Sequence, residues 1–381
     1  MVRRTRAPGP RALEPGASGP RAAGPPAPKQ RPPRHARPAA RAHTVSTPSP
    51  GALAHQAPDA QVPQSKSPGR KGARRNAKGA ATGPFRSGFV CLLGRPNVGK
   101  STLVNRLVGQ AISITSPKPQ TTRHRILGVC HGPGWQVVLV DTPGVHLARD
   151  ALNQRMVRYA LRALEDTDLV LLLVEPLAAG APPRPAEDER VLQALAQAGR
   201  PAWLVINKAD LATEADLAAT RERYQARYPF GRVLSLSART GQGVDALLAA
   251  LPGALPEGPH YFEAGQVTDL AAPTLLAELV RQEVFRRTQQ EVPYSTAARV
   301  ELLEQRGGHW HVHCRVFVER DSQKGILIGK GGQMLKAIGQ AARPRMEWLL
   351  GGPVYLDLQV TVLPGWSRDA RLLEELGYPE E

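Results

Sequence analysis

The octapeptide GRPNVGKS at residues 94–101 constrains this chain more than any other stretch, and it follows the short apolar run FVCLL at residues 89–93. It fits the pattern G-x-x-x-x-G-K-[S/T], in which a strand passes through a glycine-rich turn into a helix. Glycines at the first and sixth positions allow backbone N–H groups to turn inward around a phosphate, and the helix start adds its positive end. The stretch therefore predicts a phosphate-binding P-loop. The alternative is a glycine turn that matches by chance in a Gly-rich chain.

Each residue of this loop receives a predicted contact with a nucleotide. We expect Lys100 to reach the β- and γ-phosphates and Ser101 to bind the Mg²⁺ ion that accompanies them. The predicted nucleotide-contacting residues are Gly94, Arg95, Pro96, Asn97, Val98, Gly99, Lys100, Ser101 and Thr102.

The first 84 residues differ in composition from the rest of the 381-residue chain. They contain 16 of the 36 prolines, and 16 Lys and Arg residues against two acidic residues, so they carry most of the formal net charge of +17. Such a segment has too few apolar side chains to form a core, and we expect it to be disordered. A polyelectrolyte arm for RNA is the favoured interpretation. An organellar transit peptide and a misassigned start codon are the alternatives.

The cysteines and the apolar runs bear on the compartment. Cys91, Cys130 and Cys314 lie far apart without metal-ligand spacing, so we expect reduced core residues of an intracellular protein. No apolar run approaches the roughly 18 to 20 residues that span a bilayer, and the N-terminus lacks the apolar region of a secretory signal. The sequence therefore predicts a soluble protein that is not secreted.

From residue 88 onward, short β-rich runs alternate with helical spacing, which is typical of βαβ units around a mostly parallel sheet. The predicted strands are 89–93, 136–140, 168–174, 202–206 and 232–236. The predicted helices are 152–164, 187–198, 213–228 and 243–251. Because these strands are apolar throughout, as in sheets covered by helices on both faces, the sequence predicts a doubly wound α/β domain. Its ligand should lie beyond the carboxyl ends of the strands.

Polar motifs follow three of the predicted strands. The motif DTPG at 141–144 follows the second strand, NKAD at 207–210 the fourth and SA at 237–238 the fifth. Each motif alone is compatible with a capped loop, but in this order they predict one nucleotide site, in which Asp141 holds Mg²⁺ through water. The predicted contacts are Asp141, Thr142, Pro143, Gly144, Val145, Asn207, Lys208, Asp210, Ser237 and Ala238.

Asp210 makes the predicted base preference specific for guanine. Its carboxylate accepts two parallel hydrogen bonds from guanine N1–H and the exocyclic N2 amine, whereas adenine lacks that amine. An adenine base would leave the carboxylate unpaired, at a cost of a few kcal/mol. We also expect the stem of Lys208 to lie over the ring and the N–H of Ala238 to reach O6.

Longer stretches add a resemblance to bacterial Era-type GTPases over roughly residues 88–378. They are SITS at 113–116 with QTTRH at 120–124, EVPYS at 291–295, GW at 365–366 and LGY at 376–378. The resemblance implies a P-loop GTPase domain with a switch I loop at 111–123 and a switch II loop that opens at DTPG. It implies that Thr121 or Thr122, of which we prefer Thr122, closes on Mg²⁺. Lys100, Thr122 and Gly144 are the predicted catalytic residues.

Val145 and His146 follow DTPG, so the glutamine that orients the attacking water in Ras-like GTPases is missing. We therefore expect slow intrinsic hydrolysis, with positioning supplied by a rearranged switch, a partner or a monovalent cation. Asn97 is placed either to join a cage around K⁺ or to hydrogen-bond only the loop backbone. A general-base role for His146 is disfavoured, because a lone exposed histidine is more often solvated.

The pattern changes after a Pro/Gly-rich linker. The predicted elements are a helix at 274–287, strands at 297–303 and 309–318, a helix at 333–349 and a strand at 354–362. The order α-β-β-α-α-β around GKGG resembles a type II KH domain, whose GxxG loop packs its backbone against nucleotides. The predicted RNA contacts are Gly329, Lys330, Gly331 and Gly332. Trp310, Trp348 and Tyr355 are candidates for base stacking, but core positions are favoured.

The predicted organisation is a basic, Pro/Ala/Arg-rich extension at 1–84, a GTPase domain at 85–252, a linker at 253–272 and a smaller α+β KH domain at 273–381. The resemblance implies a GTP-hydrolysing assembly factor for the small ribosomal subunit that uses GTP/GDP and Mg²⁺. Its KH domain would bind the 3′ end of the small-subunit rRNA under control of the nucleotide. We expect a cytoplasmic monomer with peripheral contact to the inner membrane surface. The rival is a GTP-binding RNA or membrane-associated scaffold with little turnover.

Overall fold

The first sheet of the computed structural model has six strands in the order β2-β3-β1-β4-β5-β6. The structure describes residues 83–379 except 117, 119–120, 124, 145–150 and 179–184, so almost all of the predicted extension lies outside the described residues. The strands are β1 Arg86–Leu93, β2 Ile126–Gly132, β3 Trp135–Asp141, β4 Leu169–Val174, β5 Ala202–Ile206 and β6 Arg232–Ser235. Neighbouring strands pair in parallel, except that β2 is antiparallel to β3.

Helices cover both faces of this sheet. They are α1 Lys100–Val108, α2 Ala151–Glu165, α3 Pro185–Ala198, α4 Glu214–Gln225 and α5 Val244–Ala254. Along β1, Val90 and Leu92 join a buried cluster with residues of α1 and α5, whereas Cys91 and Leu93 join a cluster with residues of α2, α3 and α4. Successive strand residues point to opposite faces, so both sets must be apolar. The predicted doubly wound α/β domain is confirmed.

The predicted set of strands lacks β2, which reads ILGVCHG and lies at the edge of the sheet. Two glycines and a histidine interrupt its apolar character, so it differs from the continuous apolar runs of the other strands. A Cβ at Gly128 would lie 2.8 Å from Cγ2 of Val108, so close packing of α1 on β2 requires glycine there. The turn to β3 uses Gly134 at φ 78°, a conformation that favours glycine.

The second sheet has three strands in the order β7-β8-β9, where β7 is antiparallel and β9 parallel to β8. Its strands are β7 Thr296–Arg306, β8 His309–Val318 and β9 Val354–Val362. The accompanying helices are α6 Ala272–Arg287, α7 Asp321–Ile328, α8 Gln333–Leu350 and a short α9 Ala370–Glu375 that was not predicted. The predicted order α-β-β-α-α-β is confirmed from α6 to β9.

The segment between α5 and α6, which the sequence predicts as a linker, lies along the first sheet. The N–H of Val129 donates to the carbonyl of Val267 at 2.9 Å, and Nε2 of Gln136 donates to the carbonyl of Phe262 at 2.9 Å. The edge strand β2 and its neighbour β3 therefore both form hydrogen bonds with this segment. The domain boundaries themselves stay predictions.

All three cysteines are buried and free of disulfides. Burial raises the pKa of each thiol to about 12. This agrees with the prediction of reduced core residues. Within the described ranges, no helix combines the length and the apolar composition that crossing a membrane requires.

Candidate functional site

The P-loop lies between β1 and α1 and is surrounded by other strand ends. Gly94 has φ 155° and Gly99 has φ 99°. A Cβ at Gly94 would lie 2.5 Å from the carbonyl oxygen of Leu173, and one at Gly99 would lie 2.2 Å from Nδ2 of Asn207. Both positions therefore require glycine for packing, and both φ angles already disfavour a side chain.

Lys100, the predicted phosphate contact, begins α1 and is only 6% exposed. Its Nζ donates to the carbonyls of Gly94 and Arg95, each at 3.0 Å, so the ammonium lies within the curve of the loop. Burial lowers the pKa of Lys100 to about 8, although the nearby Asp141 acts in the opposite direction. A phosphate bound in this loop would supply the negative charge that favours the ammonium form.

Three oxygen-bearing side chains that were predicted as Mg²⁺ ligands come together beside Lys100. Oγ of Ser101 and Oγ1 of Thr122 are 2.8 Å apart. Asp141 is fully buried, and its Oδ2 accepts a 2.7 Å hydrogen bond from Oγ of Ser113. Burial raises the pKa of Asp141, opposed by the hydroxyls of Ser113 and Ser101.

The second carboxylate oxygen of Asp141, Oδ1, is buried and has no hydrogen-bond partner in the part of the chain that the structure describes. A buried acceptor of this kind normally has a partner. Hydroxyl and carboxylate oxygens are the ligands that Mg²⁺ prefers, directly or through its water. The donor set therefore fits Mg²⁺.

Asn207 connects the two halves of the site. Its Nδ2 donates to the carbonyl of Val98 in the P-loop at 2.7 Å, and its Oδ1 accepts from the N–H of Ala238 at 2.9 Å. At 2% exposure it is part of the framework. The N–H of Ala238, predicted to reach guanine O6, is thus already engaged. The hydroxyl of Thr142 is likewise engaged, because it donates to the carbonyl of Leu92 at 2.8 Å.

The predicted base-binding residues lie at the far end of the site. Lys208 has φ 63° and forms an ion pair with Glu175. Oδ2 of Asp210 lies 3.3 Å from Nη2 of Arg239, whose side chain is 77% exposed. An exposed arginine can leave when a base arrives, because an ion pair in water contributes little.

A cavity of about 850 Å³ collects most of these residues. The predicted residues that do not line it are Gly94, Val98, Asp141, Thr142 and Pro143, and Val145 and His146 fall outside the described residues. The predicted residues that line it are Arg95, Pro96, Asn97, Gly99, Lys100, Ser101, Thr102, Thr122, Gly144, Asn207, Lys208, Asp210, Ser237 and Ala238. Lining residues without a predicted role include Glu175, Arg239 and Arg286. Arg286 belongs to α6, so no local pattern indicates it.

The GKGG loop joins α7 to α8 at the surface. Gly329, Gly331 and Gly332 have φ angles of 72°, 59° and 79°. A Cβ at Gly331 or Gly332 would have no atom within 4 Å, and Lys330 is exposed. The backbone of this loop is therefore accessible, as the KH prediction requires.

The three aromatic candidates for base stacking in the C-terminal domain differ in their exposure. Trp310 packs against the core, and its Nε1 donates to the carbonyl of Leu350 at 3.1 Å. The core positions favoured for Trp348 and Tyr355 are wrong, since they are 46% and 59% exposed. Alternation and helical spacing do not reveal whether another element covers an outward-facing ring.

Two family models match the chain. One, described as a 50S ribosome-binding GTPase, matches residues 89–208, and the other, described as a KH domain, matches residues 291–367. They cover the P-loop with the NK of NKAD, and the GKGG loop, respectively.

Solved structures share the whole fold. A crystal structure of Era in complex with MgGDPNP and nucleotides 1506–1542 of 16S ribosomal RNA matches with a TM-score of 0.73 at 36% identity, covering 77% of this chain and 99% of that chain. Aquifex aeolicus Era bound to GDP.AlF4- matches with a TM-score of 0.73 at 35% identity, covering 77% and 100%.

Curated relatives agree. The GTPase Era of Lacticaseibacillus paracasei is 44% identical over 293 residues, which cover 77% of this chain and 96% of that protein. The GTPase Era of Geobacter metallireducens is 50% identical over 298 residues, which cover 77% of this chain and 98% of that protein. With this identity over nearly the full length of its relatives, the chain belongs to the Era family of GTPases.

Proposed function

We propose that this GTPase is an assembly factor for the small ribosomal subunit, in which the bound nucleotide controls how the KH domain binds the 3′ end of the small-subunit rRNA. The observation that carries the proposal is a set of hydrogen bonds between switch I and the C-terminal domain. Switch I is the segment that responds to a γ-phosphate and its Mg²⁺ in GTPases.

Two basic side chains of switch I make these hydrogen bonds. Nζ of Lys118 donates to the carbonyl oxygens of Phe285 and Thr288 at the end of α6. Arg123 is 2% exposed, and its Nη1 donates to the carbonyl of Thr296 at the start of β7 at 2.7 Å. A rearrangement of switch I around GTP would therefore break or shift contacts with α6 and β7, which belong to the same domain as the RNA-binding loop.

Two observations support rRNA as the ligand: the RNA bound by a relative and the positive charge of the C-terminal domain. The relative with 36% identity was crystallised with nucleotides 1506–1542 of 16S ribosomal RNA. In the present chain, residues 281–350 carry 12 Lys and Arg residues against seven acidic residues. Such an excess attracts a phosphate backbone, and the accessible GKGG backbone suits the close approach of nucleotides.

Hydrolysis is assigned to a small set of residues. Lys100 and the P-loop amides would stabilise charge on the phosphates, and Thr122 with Ser101 and Asp141 would hold Mg²⁺, which neutralises developing charge when bound. Gly144 lies against the P-loop, since a Cβ there would be 2.7 Å from the nitrogen of Pro96. Its N–H would contact the γ-phosphate. Slow intrinsic hydrolysis follows from the missing glutamine.

A monovalent cation is part of the proposal. Asn97 has φ 66° and lines the cavity beside Lys100, where a K⁺ ion held by neutral oxygens would supply part of the charge that an arginine finger supplies elsewhere. Hydrolysis should then be faster in K⁺ than in Na⁺ at equal ionic strength, and Asn97→Ala should remove the difference while GTP still binds. Equal rates in both salts would refute the cation role.

Cellular context completes the proposal. Three buried thiols suit the reducing cytoplasm, where we propose a monomer that contacts the inner membrane surface peripherally. Light scattering of the full chain and its retention on anionic vesicles are the measurements. A stable dimer, or no retention at low salt, would refute the corresponding part.

The central experiment measures binding of the full chain to a 3′-terminal 16S rRNA fragment with GDP and with a non-hydrolysable GTP analogue. We expect the two affinities to differ by about 5- to 150-fold, the usual range of coupling between sites. Lys330→Asp combined with Gly331→Asp should abolish selective binding and leave GTP affinity unchanged. Purified small and large subunits serve as competitors. Equal affinity in both nucleotide states would refute nucleotide control, and competition only by large subunits would refute the small-subunit assignment.

A further inference from the structure

Helix α6 carries a fully buried arginine, Arg281, whose side chain is 0% exposed. Its Nε and Nη2 donate to the two carboxylate oxygens of Glu278 at 2.8 and 2.7 Å. Nη2 also donates to the backbone carbonyl of Thr121 in switch I. Among the described residues, Nη1 has no hydrogen-bond partner. The carboxylate of Glu278 thus fixes the guanidinium in an orientation that reaches switch I.

The contact with Thr121 lies next to the Mg²⁺ site. Thr122 is the following residue, and its hydroxyl is 2.8 Å from Oγ of Ser101. The residue after it, Arg123, donates to the carbonyl of Thr296 at 2.7 Å. Thr121, through its backbone carbonyl, and Arg123, through its side chain, are therefore both hydrogen-bonded to the C-terminal domain, and these bonds on either side of Thr122 constrain where its hydroxyl lies.

A buried arginine–glutamate pair contributes little to stability by itself, because desolvation offsets the attraction of the charges. The pair instead fixes the orientation of the guanidinium. This planar group can donate to a carboxylate and to a carbonyl at the same time, which an ammonium group does less well. The guanidinium also lies 5.2 Å from the ring centroid of Phe285. These contacts together hold the side chain of Arg281 in its present position.

We propose that Arg281 is a positioning residue for the Mg²⁺ site and that it acts through the carbonyl of Thr121 to hold the hydroxyl of Thr122 beside Ser101. This rests on the proposed role of Thr122 as a Mg²⁺ ligand. Helix α6 then supports the catalytic centre, although Arg281 follows Thr121 by 160 residues in the chain. Displacement of α6 would weaken Mg²⁺ binding, and by reciprocity Mg²⁺ would favour the present position of α6.

The first test uses the nucleotide-free protein and the variant Arg281→Lys. This change keeps the positive charge but removes the planar guanidinium that bonds to Glu278 and Thr121 together. Hydrogen exchange of the amides at 121–123 should be faster than in the wild type by about tenfold, the factor expected for loss of one charged hydrogen bond. Arg155→Lys is the matched control, because Arg155 is also buried and donates to the C-terminal carbonyls of Tyr378 and Ala370. It should leave exchange at 121–123 unchanged.

The second test measures how much Mg²⁺ is needed for half-maximal binding of a fluorescent non-hydrolysable GTP analogue. Arg281→Lys should raise this Mg²⁺ midpoint by about tenfold as well, whereas GDP binding without Mg²⁺ should match the wild type. Arg155→Lys should change neither. If Arg281→Lys does not fold, Glu278→Gln replaces it in both measurements, because that change removes the charge that orients the guanidinium.

A wild-type value in either measurement, or an equal response from Arg155→Lys, would overturn the inference. The variant Thr122→Ala distinguishes a failure of this inference from a failure of the proposed function. An unchanged Mg²⁺ midpoint in Thr122→Ala would remove the ligand role, and the inference with it, while the RNA results stand. An RNA affinity that is the same with GDP and with the GTP analogue would refute nucleotide control. A raised Mg²⁺ midpoint in Arg281→Lys would still support the positioning role of Arg281.

Discussion

The molecule carries two glycine-rich loops that lead directly into helices, the P-loop before α1 and the GKGG loop before α8, and their surroundings differ. In the P-loop, a Cβ at Gly94 or Gly99 would lie within 2.5 Å of a neighbouring group. In the GKGG loop, a Cβ at Gly331 or Gly332 would meet no atom within 4 Å. Both loops need glycine for positive φ angles. Packing requires glycine at both P-loop positions, whereas in the GKGG loop it does so only at Gly329, where a Cβ would lie 2.8 Å from Cβ of Met334.

The difference reflects where each ligand lies. The P-loop curves around a phosphate, and Asn207 and Lys100 hold its shape from the protein side through bonds to the carbonyls of Val98, Gly94 and Arg95. The GKGG loop presents the backbone of Gly331 and Gly332 outward, so these two glycines leave room for a partner that is not part of the fold. One glycine pattern thus serves a preformed cradle and an open contact surface.

The largest expected effect is that of Gly99→Ala. The added methyl group overlaps Nδ2 of Asn207, and the strained φ adds to that overlap, for a combined cost on the order of 3 kcal/mol. GTP affinity measured by calorimetry should fall about 100-fold or more. Gly109→Ala is the matched control, because φ there is 78° and no atom lies within 4 Å of the added Cβ. Equal GTP affinity in both variants would show that the P-loop is as open as the GKGG loop.

Next in size is the change of base preference in Asp210→Asn. The amide cannot accept from both guanine N1–H and N2, so GTP affinity should fall roughly 100-fold. Xanthosine triphosphate, whose 2-carbonyl accepts from the new amide, should bind better than GTP. Competition against a fluorescent guanine nucleotide measures both. An unchanged preference for GTP over xanthosine triphosphate would mean that Asp210 does not bind the base.

A smaller effect concerns pH and the buried Lys100. Because its pKa in the nucleotide-free protein is about 8, the ammonium form is lost above that pH, and phosphate binding must then take up a proton. Affinity for GTP should fall by up to about tenfold per pH unit above 8. The variant Lys100→Arg keeps its positive charge above pH 8, so its GTP affinity should be weaker than that of the wild type but should depend less on pH. Any titration of guanine itself affects both proteins equally. Parallel pH profiles would contradict the burial argument.

The smallest effect is expected for Gly331→Ala. The methyl group meets no protein atom, so unfolding free energy should fall by only about 1 kcal/mol, the cost of a positive φ, and GTP affinity should not change. Gly307→Ala, at φ 55° with equally open surroundings, should match it in thermal unfolding. Only Gly331→Ala should weaken rRNA binding. Equal RNA affinity in the two variants would remove the distinction between the loops.

The sequence by itself determined the features whose residues lie together in the chain. A phosphate cradle needs its glycines, lysine and serine at set spacings, because consecutive amides must surround one ligand, and the same holds for NKAD and GKGG. The doubly wound sheet was also predictable, since burial on both faces requires apolar strands. Even the meeting of Ser101 with Thr122 was anticipated from a resemblance.

Only the tertiary structure decided which groups already have partners and which elements support the site. Nothing local indicates that Asn207 engages the N–H of Ala238, or that β2 packs closely on α1 at Gly128. The exposure of Trp348 depends on whether another element covers it. Arg281 and Thr121 meet across 160 residues, because packing of α6 against switch I follows from the shapes of two domains and leaves no periodic signal in either segment.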